Sequence, residues 1–317
     1  MRKGFVLIST LALIVILSFL ILVISRLIYN DTIKSTIYTS SIEKRIELIN
    51  SEKLFTNTLL NNSELLKNLT FAESQLNIFA NTKYENLDIE LYDMTNCFNL
   101  NTLVRPFRSI YVKNEDNGVF FENLLLINNI DRTKHRELID RLYDALDSDR
   151  LPEPFGAEDL FYTTQDELSL NPDQLFLHKS QIKNLAMLST AELEMIYSNI
   201  CALPDNDLVF NINELNNENY QVLLSIYPEL TLKDIETIIL SKPIEGYQNF
   251  TNLLELTNIT AFKLTDDYLT FEPKYIQILY KVKYEDTFFN LLSIITLESR
   301  NNNTVSYTHL RAHETSD

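Results

Sequence analysis

The chain opens with an uncharged apolar run, FVLISTLALIVILSFLILVIS, at Phe5–Ser25. The run is long enough to cross a bilayer as a helix, which takes about 20 apolar residues. Arg2 and Lys3 precede it and Arg26 follows it. Because positive residues favour the cytoplasmic side, the short N-terminus is predicted to lie in the cytoplasm and the rest of the chain outside. A secretory signal peptide is disfavoured, since its apolar stretch is only about 7–15 residues and ends in a small-residue cleavage site.

A short basic leader, Met1-Arg2-Lys3-Gly4, stands directly before this run. The Gly4–Phe5 junction resembles the leader of type IV pilins and pseudopilins, in which a membrane peptidase cuts after the glycine. That resemblance implies that Phe5 becomes an N-methylated first residue. A plain signal anchor that keeps residues 1–4 is the alternative, and the leader alone does not separate the two.

The composition is strongly acidic. There are 44 Asp and Glu residues against 27 Lys and Arg, which gives a formal net charge of −17. Such a surface repels nucleic acid phosphates and suits cation binding. A hydrophobic content of 45% is typical of a folded protein. Cys97 and Cys201 either pair in an oxidising compartment or remain buried thiols.

The apolar run continues into a predicted stem. No Pro or Gly occurs between Phe5 and about Ala80, and Ile42, Ile46 and Ile49 keep a helical apolar rhythm past the membrane. We therefore expect one long helix that leaves the membrane as an amphipathic stem. A separate anchor followed by a separate soluble helix is the alternative.

Alternating apolar and polar residues predict strands farther along the chain. Residues 86–93 and 97–101 alternate around turn-forming residues and predict a hairpin, and residues 208–213 predict a short strand. Residues 275–282 and 288–294 predict an antiparallel pair across a turn at 284–286. Helical patterns occupy 117–204, 219–240 with a break at Tyr227–Pro228, and 249–256. Ser189-Thr190 followed by Glu192 predicts a helix N-cap. No internal repeat of fixed period stands out.

The last twelve residues, Ser306–Asp317, break this pattern. Two of the four histidines, His309 and His313, appear there suddenly, and the strand alternation stops. The segment resembles a translated sequencing-adapter read-through. We expect it to be a non-native tail and exclude it from the fold; a native basic tail is the alternative.

Acidic residues cluster around a Pro- and Gly-containing loop in the middle of the chain. Asp140, Asp144, Asp147 and Asp149 precede the loop, and Glu158-Asp159 follows it. Calcium takes six to eight oxygen ligands, mostly carboxylates and carbonyls. Asp147 and Asp149 can turn toward one ion from a loop, and Asp144 lies one helical turn earlier. The spacing is not that of an EF-hand, and a solvated acidic loop is the alternative.

Catalytic and nucleic-acid-binding motifs are missing from the sequence. His135 and His178 are isolated from any Cys or Ser motif, and there is no Cys-x-x-Cys, His-Glu-x-x-His or phosphate loop. Two helical segments, 183–203 and 219–255, faintly resemble helix-hairpin-helix units. The turn of the second contains Pro228-Glu229-Leu230 in place of glycine. We predict neither an enzyme nor a DNA-binding protein.

Taken in order, these features resemble the type II secretion system protein K family, the largest minor pseudopilin. The leader and anchor are followed by Asn99-Leu100-Asn101, by Asp144-x-x-Asp147-x-Asp149 with Gly156-Ala157-Glu158-Asp159-x-x-Tyr162, and by Asn211-Ile212-Asn213. The resemblance covers residues 1–304, and the middle motif is its specific part. Ala145 and Arg150 depart from the usual pattern, and Arg150 brings a positive charge near the proposed ion.

The resemblance implies an α+β, pilin-like fold: a long N-terminal transmembrane helix, an antiparallel sheet and a large inserted α-helical domain. It divides the chain into a leader (1–4), a transmembrane helix (5–29), a stem helix with the first strands (30–114), the inserted domain with the acidic loop (115–205), the remaining pilin domain with the C-terminal hairpin (206–305), and the tail (306–317).

The resemblance also implies a function. The chain is expected to be a non-enzymatic, single-pass inner-membrane protein with a periplasmic C-terminal domain, at the tip of the type II secretion pseudopilus. Implied partners are the minor pseudopilins of the I and J families, the major pseudopilin and the prepilin peptidase, but no nucleic acid. Implied calcium ligands are Asp147, Asp149, Glu158 and Asp159, with Asp144. The alternative is a single-span membrane-anchored periplasmic hydrolase or receptor with an acidic ectodomain.

One residue in the membrane segment agrees with a position at the tip. Most pilins carry Glu at the fifth mature position, where it neutralises the N-terminal amine of a neighbouring subunit. Counted from Phe5, that position is Ser9. A subunit with no other subunit ahead of it can do without this buried charge, which is costly in a membrane, and members of the protein K family typically lack it.

Overall fold

The computed structural model describes residues 2–66, 69–84, 86–164, 171–185, 187–284, 287–297 and 306–309. Its longest element is helix α1 (Arg2–Leu60), which continues from the apolar run into the predicted stem. Within the described ranges, α1 is the one helix apolar and long enough to cross a membrane, and its most apolar 18-residue stretch has a mean hydropathy of 2.9. Gly4, Phe5 and Ser9 lie in its first turns, and Met1 lies outside the described residues.

The other elements follow in chain order. The helices are α2 (Ser63–Leu66), α3 (Leu69–Lys83), α4 (Glu115–Ile127), α5 (Arg132–Leu146), α6 (Asp159–Thr164), α7 (Thr190–Tyr197), α8 (Tyr220–Ile226), α9 (Leu232–Ser241) and α10 (Phe250–Thr257). The strands are β1 (Leu87–Asp93), β2 (Phe98–Asn99), β3 (Val104–Phe107), β4 (Ile110–Lys113), β5 (Ile200–Cys201), β6 (Phe210–Asn211), β7 (Leu269–Thr270), β8 (Tyr275–Tyr284), β9 (Thr287–Thr296) and β10 (Ser306–His309). Short 3-10 helices occupy Leu100–Leu103, Lys179–Leu185 and Ile212–Glu214.

The sequence predicted that the stem helix would run on to about Ala80, but the structure differs. Helix α1 ends at Leu60, and α2 and α3 follow as separate helices. Two asparagines, Asn61 and Asn62, occupy the break. Asparagine side chains compete with the helical backbone for hydrogen bonds and so favour helix ends. The lack of Pro and Gly was therefore not enough to predict an unbroken helix.

A four-stranded antiparallel sheet in the order β1-β8-β9-β10 packs on the stem. Leu48, Phe55 and Leu59 of α1 are buried in one cluster with residues of β1, β8 and β9. Beside them, the Ser293 hydroxyl donates a 2.7 Å hydrogen bond to the buried Glu52 carboxylate. Because a buried carboxylate needs this partner, the bond sets the position of α1 along the sheet.

Strand partners differ in part from those predicted. The C-terminal pair is confirmed as β8 and β9, while residues 285–286 of its turn lie outside the described residues. The predicted hairpin between 86–93 and 97–101 is wrong: β1 pairs with β8, and β2 pairs in parallel with β5. Period-two alternation fixes which face of a strand is buried but not which strand lies beside it.

Four residues of the expected tail, Ser306–His309, form β10 against β9. The sequence excluded them from the fold, so this placement corrects that expectation. Strand pairing is made by backbone groups, and the free edge of β9 can accept almost any extended segment. The expectation that the tail is non-native remains a prediction, and residues 310–317 lie outside the described part.

The part of the chain between β1 and β8 forms a helical domain, which is built from two similar units. Each starts with a Phe-Asn pair, FNLN at 98–101 and FNIN at 210–213, that forms a two-residue parallel bridge with the end of its own unit. The first asparagine of each run accepts a hydrogen bond from the backbone N–H two residues on and starts a 3-10 turn. Residues 208–213 therefore form a shorter strand than the sequence predicted, and the chain holds a repeat without a fixed period.

The second asparagine of each run closes its unit. The Asn101 side chain donates to the carbonyls of Phe176 and Leu203 and accepts from the Phe176 N–H. Asn213 does the same with Tyr247 and Phe271. The closing contact spans 75 positions in the first unit and 34 in the second. The acidic loop and the segment after it account for most of the greater length of the first unit, and the β3–β4 hairpin and longer helices α4 and α5 account for the rest.

The predicted helices lie within these two units. Helix α7 begins with the predicted Ser189 cap, where Ser189 and Glu192 form a capping box, and α8 ends before the break at Tyr227–Pro228. Residues of both units share one hydrophobic core. The domain boundary predicted after Asp205 falls between the two units.

A disulfide bond joins Cys97 to Cys201 and so ties together the two ends of the first unit. This resolves the alternative that the sequence left open. The pair lies in a small buried cluster with Leu203, Tyr275 and Ile294, where the helical domain meets the sheet. In the chain-entropy model, closing a loop of 104 residues removes about 4–5 kcal/mol of conformational freedom from the unfolded chain.

Candidate metal centre in the acidic loop

Helix α5 supplies the first carboxylates of the site. Its N-terminus is capped by Asp131, whose side chain accepts a hydrogen bond from the Thr133 N–H. Leu138, Leu142 and Leu146 are buried in the core of the helical domain. The carboxylates of Asp140 and Asp144, four residues apart, lie next to each other on the helix and are also buried.

These two carboxylates hold the acidic loop against the helix. Asp144 Oδ1 accepts the Glu153 N–H at 2.9 Å, and Asp140 Oδ2 accepts the Phe155 N–H at 3.1 Å. A side chain at Gly156 would place its Cβ 1.8 Å from Asp144 Oδ2. The loop can approach Asp144 this closely only because residue 156 is glycine.

Asn171, which follows α6 in the chain, also contributes to the site. Its side-chain amide donates to the Asp144 carbonyl at 2.5 Å and to Glu158 Oε2 at 2.9 Å. Its backbone N–H donates to Asp159 Oδ1 at 2.9 Å. The second part of the loop is therefore fixed to the first by polar contacts that converge on Asp144 and Glu158.

Several buried oxygens at this place have no hydrogen-bond donor within the described part of the chain. They are Asp144 Oδ2, Asp147 Oδ1, Glu158 Oε1, Asn171 Oδ1 and Asp173 Oδ1. Each unsatisfied buried polar group costs about 1–3 kcal/mol, and more when it is charged. An arrangement that leaves five oxygens unpaired in one place is unfavourable unless something else supplies their positive partner.

The pKa values of the acidic residues agree with a lack of positive charge beside these oxygens. Burial is the main cause that raises the pKa of Asp147 to about 7, and the neighbouring Asp149 and Asp144 add to it. Burial also raises the pKa of Asp144, Glu158 and Asp173, and nearby carboxylates add to each of these shifts. The cluster resists carrying all of its negative charges at once.

Three of the five predicted ligands, Asp144, Asp147 and Glu158, are buried, and each has one oxygen without a hydrogen-bond donor in the described part of the chain. Asp149 is exposed, and its Oδ1 accepts the Leu151 N–H. Asp159 is half-buried and holds the Asn171 backbone.

The sequence did not predict Asn171 or Asp173 as part of the site. They follow the six residues 165–170, which lie outside the described part, and no spacing rule links them to Asp144. Arg150, expected near the ion, lies 3.9 Å from Asp173 Oδ2 and is otherwise largely exposed.

The donor set has the chemistry of a hard-cation site. All five unpaired atoms are carboxylate or amide oxygens, which calcium prefers and which zinc sites rarely use alone. Within the described ranges, no three His, Cys, Asp or Glu side chains are already gathered closely enough to hold a metal ion. The residues match such an ion by burial and by ligand type, but they are not gathered around a single position.

The middle of the chain is similar in sequence to known proteins. Residues 96–205 match the family described as "Type II secretion system (T2SS), protein K". The type II secretion system protein K of Klebsiella pneumoniae is 27% identical over 172 residues, 53% of each chain. That of Aeromonas hydrophila is 26% identical over 163 residues, 49% of each chain. The aligned stretches span about half the length of these relatives.

The fold has a solved counterpart. A chain of the GspK-GspI-GspJ complex from the enterotoxigenic Escherichia coli Type 2 Secretion System superposes with a TM-score of 0.63 at 15% identity. The superposition covers 86% of this chain and 99% of that one. The predicted α+β fold with a long N-terminal helix is thereby confirmed.

The raised pKa of Asp147 predicts how metal-free stability depends on pH. Between its ordinary pKa of 3.8 and about 7, the folded protein keeps a proton on Asp147 that the unfolded chain has lost. Raising the pH through this window therefore favours unfolding. In chelator, urea unfolding should show that the parent loses stability relative to Asp147→Asn between about pH 4 and about pH 7.

The exposed Asp266→Asn is the matched control and should keep the pH dependence of the parent. Parallel pH profiles for the parent and Asp147→Asn would contradict the burial of an unpaired carboxylate at this position.

Proposed function

We propose that this chain belongs to the type II secretion system protein K family and is a minor pseudopilin at the tip of the secretion pseudopilus. It would help start assembly of the pseudopilus for protein export across the outer membrane, acting by packing and without catalysis. Membership rests on the match over residues 96–205 and on the named relatives.

The observation that carries this proposal is that helix α1 has two separate apolar faces. One face, with Leu48, Phe55 and Leu59, is buried against the sheet. Another face continues the apolar membrane segment outward as an exposed stripe of Ile42, Ile46 and Ile49. A spacing of four and three residues places these three isoleucines in one line along the helix.

An exposed apolar stripe of this kind suits lateral packing of stem helices. Burying an isoleucine stabilises a contact by about 1.5–3 kcal/mol. We propose that the stripe contacts the stems of the I- and J-family minor pseudopilins and then that of the major pseudopilin. The solved counterpart of this fold is a chain of a complex that contains GspI and GspJ.

The membrane placement belongs to the same proposal. The single apolar helix supports a membrane-anchored, single-pass protein. Arg2 and Lys3 support a cytoplasmic N-terminus in the inner membrane and a periplasmic head. Cleavage by the prepilin peptidase after Gly4, with methylation of Phe5, would complete its maturation. The disulfide at Cys97–Cys201 agrees with an oxidising compartment for the head.

The stem proposal predicts that Ile46→Asp will abolish assembly without unfolding the head. Ile46 is exposed, so the substitution removes no buried contact within the chain. Co-purification of I- and J-family minor pseudopilins from membranes should fall by about ten-fold or more, since a charge replaces a buried isoleucine at the contact. The exposed Thr36→Asp adds the same charge on a different face of the helix and should retain the partners. Equal recovery with both variants would exclude the stripe as a packing surface.

We also propose that the acidic loop binds calcium. Asp144, Asp147 and Glu158 would hold the ion, with Asn171 and Asp173 as additional ligands. A bound divalent cation would supply the positive charge that the unpaired oxygens lack. Asp149 would contribute charge from the rim, and Asp159 would position Asn171. In this role the residues fix the loop to α5 and so rigidify the first unit; they take no part in a reaction.

Calcium titration of the full chain in detergent micelles tests the loop proposal. Parent protein should be stabilised by about 2.7 kcal/mol at a free calcium concentration 100 times the Kd. Asp147→Ala/Glu158→Ala should lose this gain, because two of the ligands are removed. The exposed pair Glu229→Gln/Asp266→Asn should keep it. A folded parent that shows neither heat of binding nor a shift in melting temperature would reduce the loop to a solvated acidic surface.

A further inference from the structure

The hairpin formed by β3 and β4 carries a charge opposite to that of the rest of the chain. Its ten residues, VRPFRSIYVK at 104–113, include three basic residues and no acidic one. The whole chain has 44 acidic and 27 basic residues. The hairpin is therefore a local basic element on an acidic protein.

The tip of the hairpin is exposed and combines charge with apolar surface. Arg105 and Arg108 are exposed, and the side chains of Phe107 and Ile110 are 54% and 45% exposed. The Arg108 guanidinium lies 5.3 Å from the centre of the Phe107 ring. Neither arginine forms an ion pair with an acidic residue within the described part of the chain.

The base of the hairpin is held firmly by the acidic loop. The Tyr111 N–H donates to Ser148 Oγ at 2.9 Å, and the Ser148 N–H donates to the Tyr111 carbonyl at 3.2 Å. Lys113 Nζ lies 3.0 Å from Glu153 Oε1. Tyr111 also packs against the hydrophobic core of the helical domain. The tip is thus presented on a fixed support, which lowers the entropy cost of binding a partner.

The hairpin is not suited to strand addition. Pro106 lies within β3 opposite Tyr111 and has no N–H to donate. A proline in an edge strand blunts pairing with another strand. Recognition must therefore use the side chains at the tip. Arginine guanidinium groups bind carboxylates through paired hydrogen bonds, and the adjacent Phe107 and Ile110 offer apolar contact.

We propose that the tip of this hairpin, at Arg105, Phe107, Arg108 and Ile110, docks an acidic segment of a partner protein. Charge complementarity selects a carboxylate-rich partner. The stem separates the head from the anchoring membrane: it runs from Ser25 to Leu48, its first buried residue, before it meets the head. At 1.5 Å per residue this distance is about 35 Å.

The test uses the full chain in phosphatidylcholine nanodiscs. The probe is a fluorescent peptide of alternating glutamate and leucine, and the readout is anisotropy at increasing salt. The parent should bind the peptide with an affinity that falls as salt rises. Arg105→Glu/Arg108→Glu should weaken binding by about ten-fold or more. Phe107→Ser/Ile110→Ser should also weaken it but keep the salt dependence.

The control is Arg132→Glu/Lys233→Glu, which reverses two exposed charges elsewhere in the helical domain. It should stay within about two-fold of the parent. All four residues of the tip are exposed, and unchanged melting temperatures will show that each variant is folded. Failure of the parent to bind, or an equal loss in the control, would overturn the proposal. So would binding to phosphatidylglycerol vesicles without binding to the peptide.

Discussion

Two asparagine amides, the buried Asn101 and the half-buried Asn213, organise the helical domain. Asn101 and Asn213 each satisfy two backbone carbonyls and one backbone N–H from segments that are far apart in sequence. Buried backbone groups must be paired, and a single amide with two donors and one acceptor meets this need where no strand is available. Helices and a parallel bridge then close each unit around its amide, and the disulfide at Cys97–Cys201 adds a covalent closure to the first unit. The two units share one hydrophobic core, so neither stands alone.

The first unit departs from this plan through the acidic loop. The second unit passes from α9 to its closing residue, Tyr247, through a short connection, whereas the first inserts the loop, α6 and the segment that carries Asn171. Polar contacts to Asp140, Asp144 and Glu158 hold the inserted chain in place instead of an apolar core. The cost is a group of unpaired buried oxygens. A cation offsets that cost most simply, because carboxylates that repel one another become ligands.

The sequence predicted the elements that depend on local pattern. The apolar run and its stem, the strand at 86–93, the C-terminal pair and the capped helix after Ser189 all follow from periodicity and caps. Long-range pairing did not follow: β2 bonds to β5 and not to β1, because alternation says nothing about partners. The site was predicted only in part for the same reason. Asp144 and Asp147 share a helix end, whereas Asn171 and Asp173 reach them only through the fold.

The proposed cation site among the unpaired oxygens of the first unit can be tested crystallographically. A crystal of the protein would be soaked with a heavy lanthanide in place of calcium, and an anomalous difference map would be recorded. A single strong peak is expected among Asp144, Asp147, Glu158, Asn171 and Asp173, with no peak at the corresponding place in the second unit. An ordered acidic loop without a peak, or a peak only at exposed carboxylates, would contradict the proposed site.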